Sequence, residues 1–449
     1  MLERQAQKGT TLKRWLVLGV AASGALAALW WVPEPQQARA LALALVYLVL
    51  ALSEIVAAFV PTIFLLAATP LVLGSLSSRY QLSSVLAWAA DPVIALFAAG
   101  FALGLAAERH GVDKAFAALL VRGGGRSRRR LVALVLLAAT GASMWMSNVA
   151  AAALLLAALA PLLNTTIQPS FQKALLLAVA MGANLGGMAT PIGSGPNAIA
   201  IAATRTTRSL DFLDWMSFGV PIVLGMLLLA FIALVARFSV SGAYTIDLGE
   251  PPAFSGSSRL LLGLFGLAIM AWLSEPWHGA TAPTVGLTLM LLLFATGLLG
   301  RRDLGDLDWS TLGLIAGGLT LGRLLESAGV LTALSAGLDL TEAPRWLWLG
   351  SFVLLSAILA ALMSNTATAA LLIPLGLLLD HSASTAVIIA VATSFGMPFP
   401  ISTPPNAMVY GTGKVTVGEL LQIGLPLMLI GCVIVTLSGT WFLGLIGID

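Results

Sequence analysis

The chain has 449 residues, of which 59% are hydrophobic and 10% charged, and its mean hydropathy of +0.97 excludes an ordinary soluble domain of this length. The formal charge of +3 is small and sits in loops, which argues against nucleic acid as a partner. A single cysteine, Cys432, in a late apolar run excludes an internal disulfide and a cysteine-based metal site.

Apolar runs near the spanning length of about 20 residues recur throughout, so an all-α polytopic membrane protein is predicted rather than a barrel. Arg4, Lys8, Lys13 and Arg14 precede the first run, 15–32, and Trp30-Trp31-Val32-Pro33 makes a poor cleavage site. A retained first helix with a cytoplasmic N-terminus is the expectation. Further spans are predicted at 40–52, 56–73 and, after a polar segment at 78–84, at 92–107, ending in Glu108-Arg109-His110. The next loop holds Arg122, Arg126, Arg128, Arg129 and Arg130, and the count of crossings places it inside, as the positive-inside rule requires.

Residues 131–163 are too many for one span and too few for two, and Gly141, Ser143, Ser147 and Asn148 stand in their middle. A re-entrant hairpin fits, because polar, unwound backbone at membrane depth is tolerated only inside protein or beside a water-filled cavity. The span beginning at Lys173 is broken by Gly186-Gly187, Pro191, Gly193, Gly195 and Pro196 before it resumes at Ala198. Spans at 216–235, 260–273 and 284–299 follow, with a polar linker at 240–258 that contains Pro251-Pro252.

The second half then repeats the first. Leu96 to Gly104, with Glu108 and Gly111-Val112, returns as Leu314 to Gly322 with Glu326 and Gly329-Val330. Ser147-Asn148 returns as Ser364-Asn365, and Pro196-Asn197 as Pro405-Asn406, at offsets of 218, 217 and 209 residues in the same order. The repeat unit contains an odd number of crossings, which inverts the second copy. Its loop 335–345, with Asp339, Glu342 and one arginine, is therefore expected outside. A second hairpin covers 346–379, a second broken helix 385–411, interrupted at Gly396, Pro398, Pro400, Pro404 and Pro405, and a last span 420–445. The total is about eleven spans and two opposed re-entrant hairpins in inverted repeats.

Paired Gly/Pro-interrupted segments in two inverted halves point to a transporter's binding site. Ser hydroxyls, Asn amide oxygens and freed backbone carbonyls at the tips suit a hard monovalent cation such as Na⁺, and the helix N-termini after the breaks suit an anion. No Asp, Glu, Lys or Arg lies in the tips or breaks, so a bound cation and anion neutralise each other, which is a physical basis for symport. A lone Ser-Asn pair is more often interhelical glue, but duplication with a following break is not what glue requires. Gly313, Gly317, Gly318 and Gly322 read as helix packing, Trp30, Trp31, Trp346 and Trp348 as interfacial residues, and Glu108 and Glu326 as helix ends. His110, His278 and His381 read as solvated.

These residues resemble the divalent anion/sodium symporter family, the sodium-coupled dicarboxylate transporters. The features that carry the likeness are Ser147-Asn148-Val149, Ser364-Asn365-Thr366, the breaks ending in Pro196-Asn197 and Pro405-Asn406, and Trp309 with Gly317-Gly318 and Gly322. The resemblance implies an elevator-type homodimer in a bacterial-type inner membrane, with scaffold helices in 1–121 and 259–334 and transport elements in 131–239 and 344–449. It implies one sodium at Ser143, Ser147, Asn148 and Gly193, and another at Asn365 and Ser402. The substrate carboxylates then contact Ser147, Asn148, Val149, Ser364, Asn365, Thr366, Thr403 and Pro404. Val149 departs from the family's usual threonine, which removes one hydrogen bond to substrate.

The function expected is therefore sodium-coupled symport of a di- or tricarboxylate. A sodium-independent exchanger, a sulfate transporter of the same fold and an anion channel are the alternatives. An intramembrane enzyme using Ser147 or Ser364 would need a positioned base, and the tips and breaks supply none.

Overall fold

The computed structural model describes residues 2–53, 55–57, 59–112, 123, 125, 127–163, 168–205, 208–243, 254–330, 333, 344–380 and 382–448. Arg122 and Arg126 of the basic loop, Pro251-Pro252 of the linker, Asp339, Glu342 and His381 lie outside the described residues. Among the described residues there are nineteen α-helices. The first group is α1 (Leu2–Trp31), α2 (Pro35–Ser53), α3 (Val60–Leu73), α4 (Leu82–Ala89) and α5 (Pro92–Arg109). Next come α6 (Arg128–Ser143), α7 (Asn148–Leu163), α8 (Pro169–Gly186), α9 (Gly195–Thr204) and α10 (Phe212–Arg237). Then follow α11 (Gly256–Leu273), α12 (Glu275–His278), α13 (Ala282–Ala295) and α14 (Trp309–Ser327). The chain closes with α15 (Arg345–Leu362), α16 (Asn365–Leu379), α17 (Ala383–Ser394), α18 (Pro404–Gly411) and α19 (Val417–Leu445).

Both hairpins and both broken helices stand where the sequence predicts them. The region read as a polar connection at 78–84 differs: it holds a 3₁₀ turn at Ser78–Tyr80 and the start of α4. Among the described residues five helices are long and apolar enough to cross a membrane: α5, α10, α11, α15 and α19. Three of the four hairpin arms are shorter, at 16, 16 and 15 residues. At about 1.5 Å per residue such an arm falls short of a bilayer's hydrocarbon width, which puts its turn at membrane depth.

Close backbone approach welds each hairpin to its broken helix. A Cβ added at Gly186 of α8 would fall 2.4 Å from the Thr140 carbonyl oxygen of α6, and one at Gly396, after α17, 2.6 Å from the Ala360 carbonyl carbon of α15. Only a residue without a side chain admits this contact, the usual device where apolar solvent offers helices no hydrophobic drive to associate. The open ends are tied by equivalent arginines. Arg128 donates to Gln168 Oε1 at 2.5 Å, and Arg345 pairs with Asp380 at 2.6 Å. The one arginine of the loop expected outside is thus a strap across the second hairpin's mouth.

The second half of each broken helix packs into the other copy. α9 lies on α16 and α17, while α18 lies on α7 and α8, so the four segments form one interlocked core. Around it, α2 and α3 pack on α14, and α13 packs on α5. One histidine expectation needs correction: His110 is half-buried, its Nε2 2.7 Å from the Leu298 carbonyl oxygen, whereas His278 is exposed as expected, with its Nε2 2.8 Å from the Ala271 carbonyl oxygen. The glycines of α14 do act in packing, since a Cβ at Gly317 would meet Thr62 Oγ1 at 2.1 Å and one at Gly318 the Ala370 Cβ at 2.7 Å.

Candidate functional site

Each tip is made by a short chain reversal that starts a new helix. Ser147 caps α7 by accepting from Ala150 N at 3.2 Å, and Ser364 holds the equivalent place before α16 with no such bond from its side chain. Each break restarts with proline in the first turn, where a missing N–H leaves nothing unsatisfied: Pro196 in α9, Pro404 and Pro405 in α18. The asparagine after each proline then stitches the break. Asn197 Nδ2 donates to the Gly187 and Thr190 carbonyls, both at 2.8 Å, and Asn406 Nδ2 to those of Met397 and Phe399, both at 2.9 Å. Asn406 Oδ1 in turn accepts from Asn184 Nδ2 of the other copy at 3.0 Å.

The four segments converge on a cavity of about 680 Å³, within the range of small-ligand sites. Its lining includes Ser147, Asn148 and Val149 from one tip, Ser364, Asn365 and Thr366 from the other, and Gly193, Ser402, Thr403 and Pro404 from the breaks. Phe97 and Phe101 of α5 and Leu314 of α14 form an apolar wall. Of the residues named from sequence, Ser143 alone stands apart: it is fully buried behind Asn148, its Oγ 2.7 Å from both Asn148 Oδ1 and the Ala183 carbonyl oxygen.

The electrostatics are those of uncharged oxygens at helix ends with one carboxylate on the wall. Among the described residues no lysine, arginine or histidine lines the cavity, and the one charged residue there is Asp308, which caps α14 by accepting from Thr311 N at 2.9 Å. The N-termini of α7, α9, α16 and α18 all border it, so their exposed N–H groups carry the positive potential that basic side chains would otherwise supply. Among the described residues no cluster of His, Cys, Asp or Glu could hold a metal, which leaves hydroxyl, amide and backbone oxygens as cation ligands.

Two observations bear on whether such oxygens fit a cation. Asn365 Oδ1 is buried without a hydrogen-bond partner. On the other side, a Cβ at Gly187 would fall 2.7 Å from Asn148 Oδ1 and 3.1 Å from the Gly193 carbonyl oxygen, so these acceptors share one pocket that a side chain would fill. The two halves also place one hydroxyl each across the seam, but from opposite partners. In the first, Ser143 on the hairpin donates to Ala183 of the broken helix, opposite Gly193. In the second, Ser402 in the break donates to Ala361 of the hairpin at 2.9 Å, and Ala360 stands where Ser143 would.

A second, smaller cavity of about 320 Å³ is lined by residues that include Pro92, Arg205, Asp211 and Glu275. Burial, with Asp211 nearby, raises the Glu275 carboxyl above the usual carboxylate range. Sequence reading missed Asp308, the phenylalanine wall and the stitching role of Asn197 and Asn406. The aspartate immediately before the glycine-rich α14 is a helix N-cap signal that would have located Asp308.

A helical membrane protein with paired tips and breaks around a central cavity is a transporter, and the comparisons agree. The chain belongs to the citrate transporter family, whose model matches residues 46–392. It is 29% identical to an uncharacterized transporter of Haemophilus influenzae over 91% of this chain and 92% of that one. It is 27% identical to the sodium-dependent dicarboxylate transporter SdcS of Staphylococcus saprophyticus, over 60% of this chain and 58% of that one. The fold is similar to that of the YdaH transporter of Alcanivorax borkumensis, with a TM-score of 0.57 at 15% identity, covering 88% of this chain and 99% of that chain. The protein is thus a multi-pass membrane transporter and not an enzyme.

Proposed function

We propose that the chain carries out sodium-coupled symport of a di- or tricarboxylate. Sodium binds behind Asn148 with Ser143, Ser147 and Gly193, and again at Asn365 with Ser402. The anion sits between the tips, on Ser147, Asn148, Val149, Ser364, Asn365, Thr366, Thr403 and Pro404. The observation that carries this reading is the cavity itself, where hydroxyl, amide and backbone oxygens and four helix N-termini meet with no basic side chain among the described residues. An anion there needs a cation for company, and a cation held by uncharged ligands needs an anion.

The hairpins and broken helices are read as one body moving against α1–α5 and α11–α14, in an elevator built from inverted repeats. The reading includes a homodimer in a bacterial-type inner membrane with its N-terminus inside. The sodium-dependent dicarboxylate relative supports the choice of ions. Uptake into proteoliposomes tests it: succinate, malate or citrate should accumulate under an inward sodium gradient. Uptake indifferent to sodium would replace symport by exchange.

Val149 is 44% exposed and lines the cavity where Thr366 stands in the other tip. Val149→Thr restores a hydroxyl there without changing side-chain shape. The expected result is a several-fold change in the ratio of apparent affinities among succinate, malate and citrate, one hydrogen bond to a charged group being worth roughly 1.5–3 kcal/mol. Competition for labelled substrate by the three anions measures it.

A further inference from the structure

The two repeats carry equivalent charged residues in unlike surroundings. Asp91 caps α5 and Asp308 caps α14. Arg205 and Lys414 each stand eight residues beyond the asparagine that stitches a break. Asp91 and Arg205 form an ion pair at 3.3 Å. Their counterparts do not: Asp308 has no ion pair among the described residues and faces the open cavity, while Lys414 Nζ donates to the Leu163 carbonyl oxygen at 2.6 Å.

Packing divides in the same way. α9 rests on both α5 and α14, whereas α18, its copy, packs on α7 and α8 and makes no comparable contact with α5 or α14. The equivalent isoleucines of the two breaks follow suit. Both border the cavity, but Ile192 is 4% exposed and lies against Gly100, where an added Cβ would be 3.4 Å from it, whereas Ile401 is 78% exposed. One end of the site is closed and latched; the other is open and unlatched.

We infer that Asp91–Arg205 and Asp308–Lys414 are alternating latches, one holding each end of the transport cavity shut. The inference rests on the reading that the interlocked core moves against the surrounding helices. When the two repeats exchange surroundings, α18 docks on α14, Lys414 leaves Leu163 for Asp308, and Ile401 is buried while Ile192 emerges. Asp91 and Arg205 separate in the same movement. Partly exposed ion pairs are individually weak, which suits contacts that must break once per cycle. Asp308 and Lys414 are accordingly positioning residues, acting on the equilibrium between states and not on the anion.

Thiol-labelling rates of purified protein test this in a Cys432→Ser background, with either Ile401→Cys or Ile192→Cys as reporter. Asp308→Asn, which keeps the helix cap, and Lys414→Gln should each speed labelling of the Ile401→Cys reporter and slow that of the Ile192→Cys reporter by about two- to fivefold. Asp91→Asn and Arg205→Gln should do the reverse, and Lys414→Arg should keep the parental rates. A generally loosened fold would speed both reporters together. Shifts in the same direction from both pairs, or none from either, overturn the latches. If the Ile192→Cys reporter stays unreactive in the parent and in every latch variant, with or without sodium and dicarboxylate, the exchange of surroundings itself fails, and the latches with it.

Discussion

Asn365→Ala is expected to reduce sodium-driven uptake at least tenfold while leaving the folded protein as stable as its parent. The amide oxygen it removes is buried with no hydrogen-bond partner, so the fold loses little. A bound cation, in contrast, loses a ligand that water cannot easily replace, worth roughly 1.5–3 kcal/mol, or about ten- to 150-fold in affinity. Asn148→Ala should act in the same direction and also strip Ser143 of an acceptor at 2.7 Å. Initial rates against sodium concentration, with thermal unfolding in detergent as the control, decide the matter. Unchanged sodium dependence in both variants would remove the cation assignment.

Asn406→Ala should show the opposite division. Its side chain donates to two carbonyls across the break and accepts from Asn184 across the repeats, all within a region sealed from water. Truncation leaves the Met397 carbonyl and the Asn184 amide without partners, while the Phe399 carbonyl keeps Ser402 N at 3.2 Å; at on the order of 1 kcal/mol or more for each orphaned group, a loss of about 2 kcal/mol is expected. The variant should unfold several degrees earlier in detergent and reach the membrane in lower amount. Stability equal to the parent's would mean that the break is held by its prolines and glycines alone. The two asparagines are thus spent differently: half-buried Asn365 keeps an amide oxygen without a protein partner, and fully buried Asn406 spends every bond on the chain.

Much of this arrangement is legible along the chain because the signals are local. Apolar runs with Gly and Pro interruptions report helices and their breaks, and the order of three recurring features reports the duplication. The tips were located from Ser-Asn pairs set in apolar surroundings, which membrane-embedded sequence rarely contains without cause. Local signals fail at 78–84, where short polar residues read as a connection but the chain turns through Ser78–Tyr80 and into α4. They fail again at Arg345, which counts as a charge in a loop and is in fact half of an ion pair with Asp380.

Sequence by itself determines the class of the molecule, the positions of its hairpins and broken helices, and which residues could meet a cation or an anion, since each depends on residue chemistry within a few turns. Tertiary structure alone decides how those pieces are shared. It sets Ser143 behind the cavity wall, moves the paired hydroxyl from hairpin to break between the two halves, brings Asn184 of one copy to Asn406 of the other, and places Asp308 on the open wall. It also decides which end is shut. A duplicated sequence writes nearly the same residues twice, and packing here pairs only one set: Asp91 meets Arg205 and Ile192 is buried, while Asp308 and Ile401 face the cavity and Lys414 bonds to the Leu163 carbonyl.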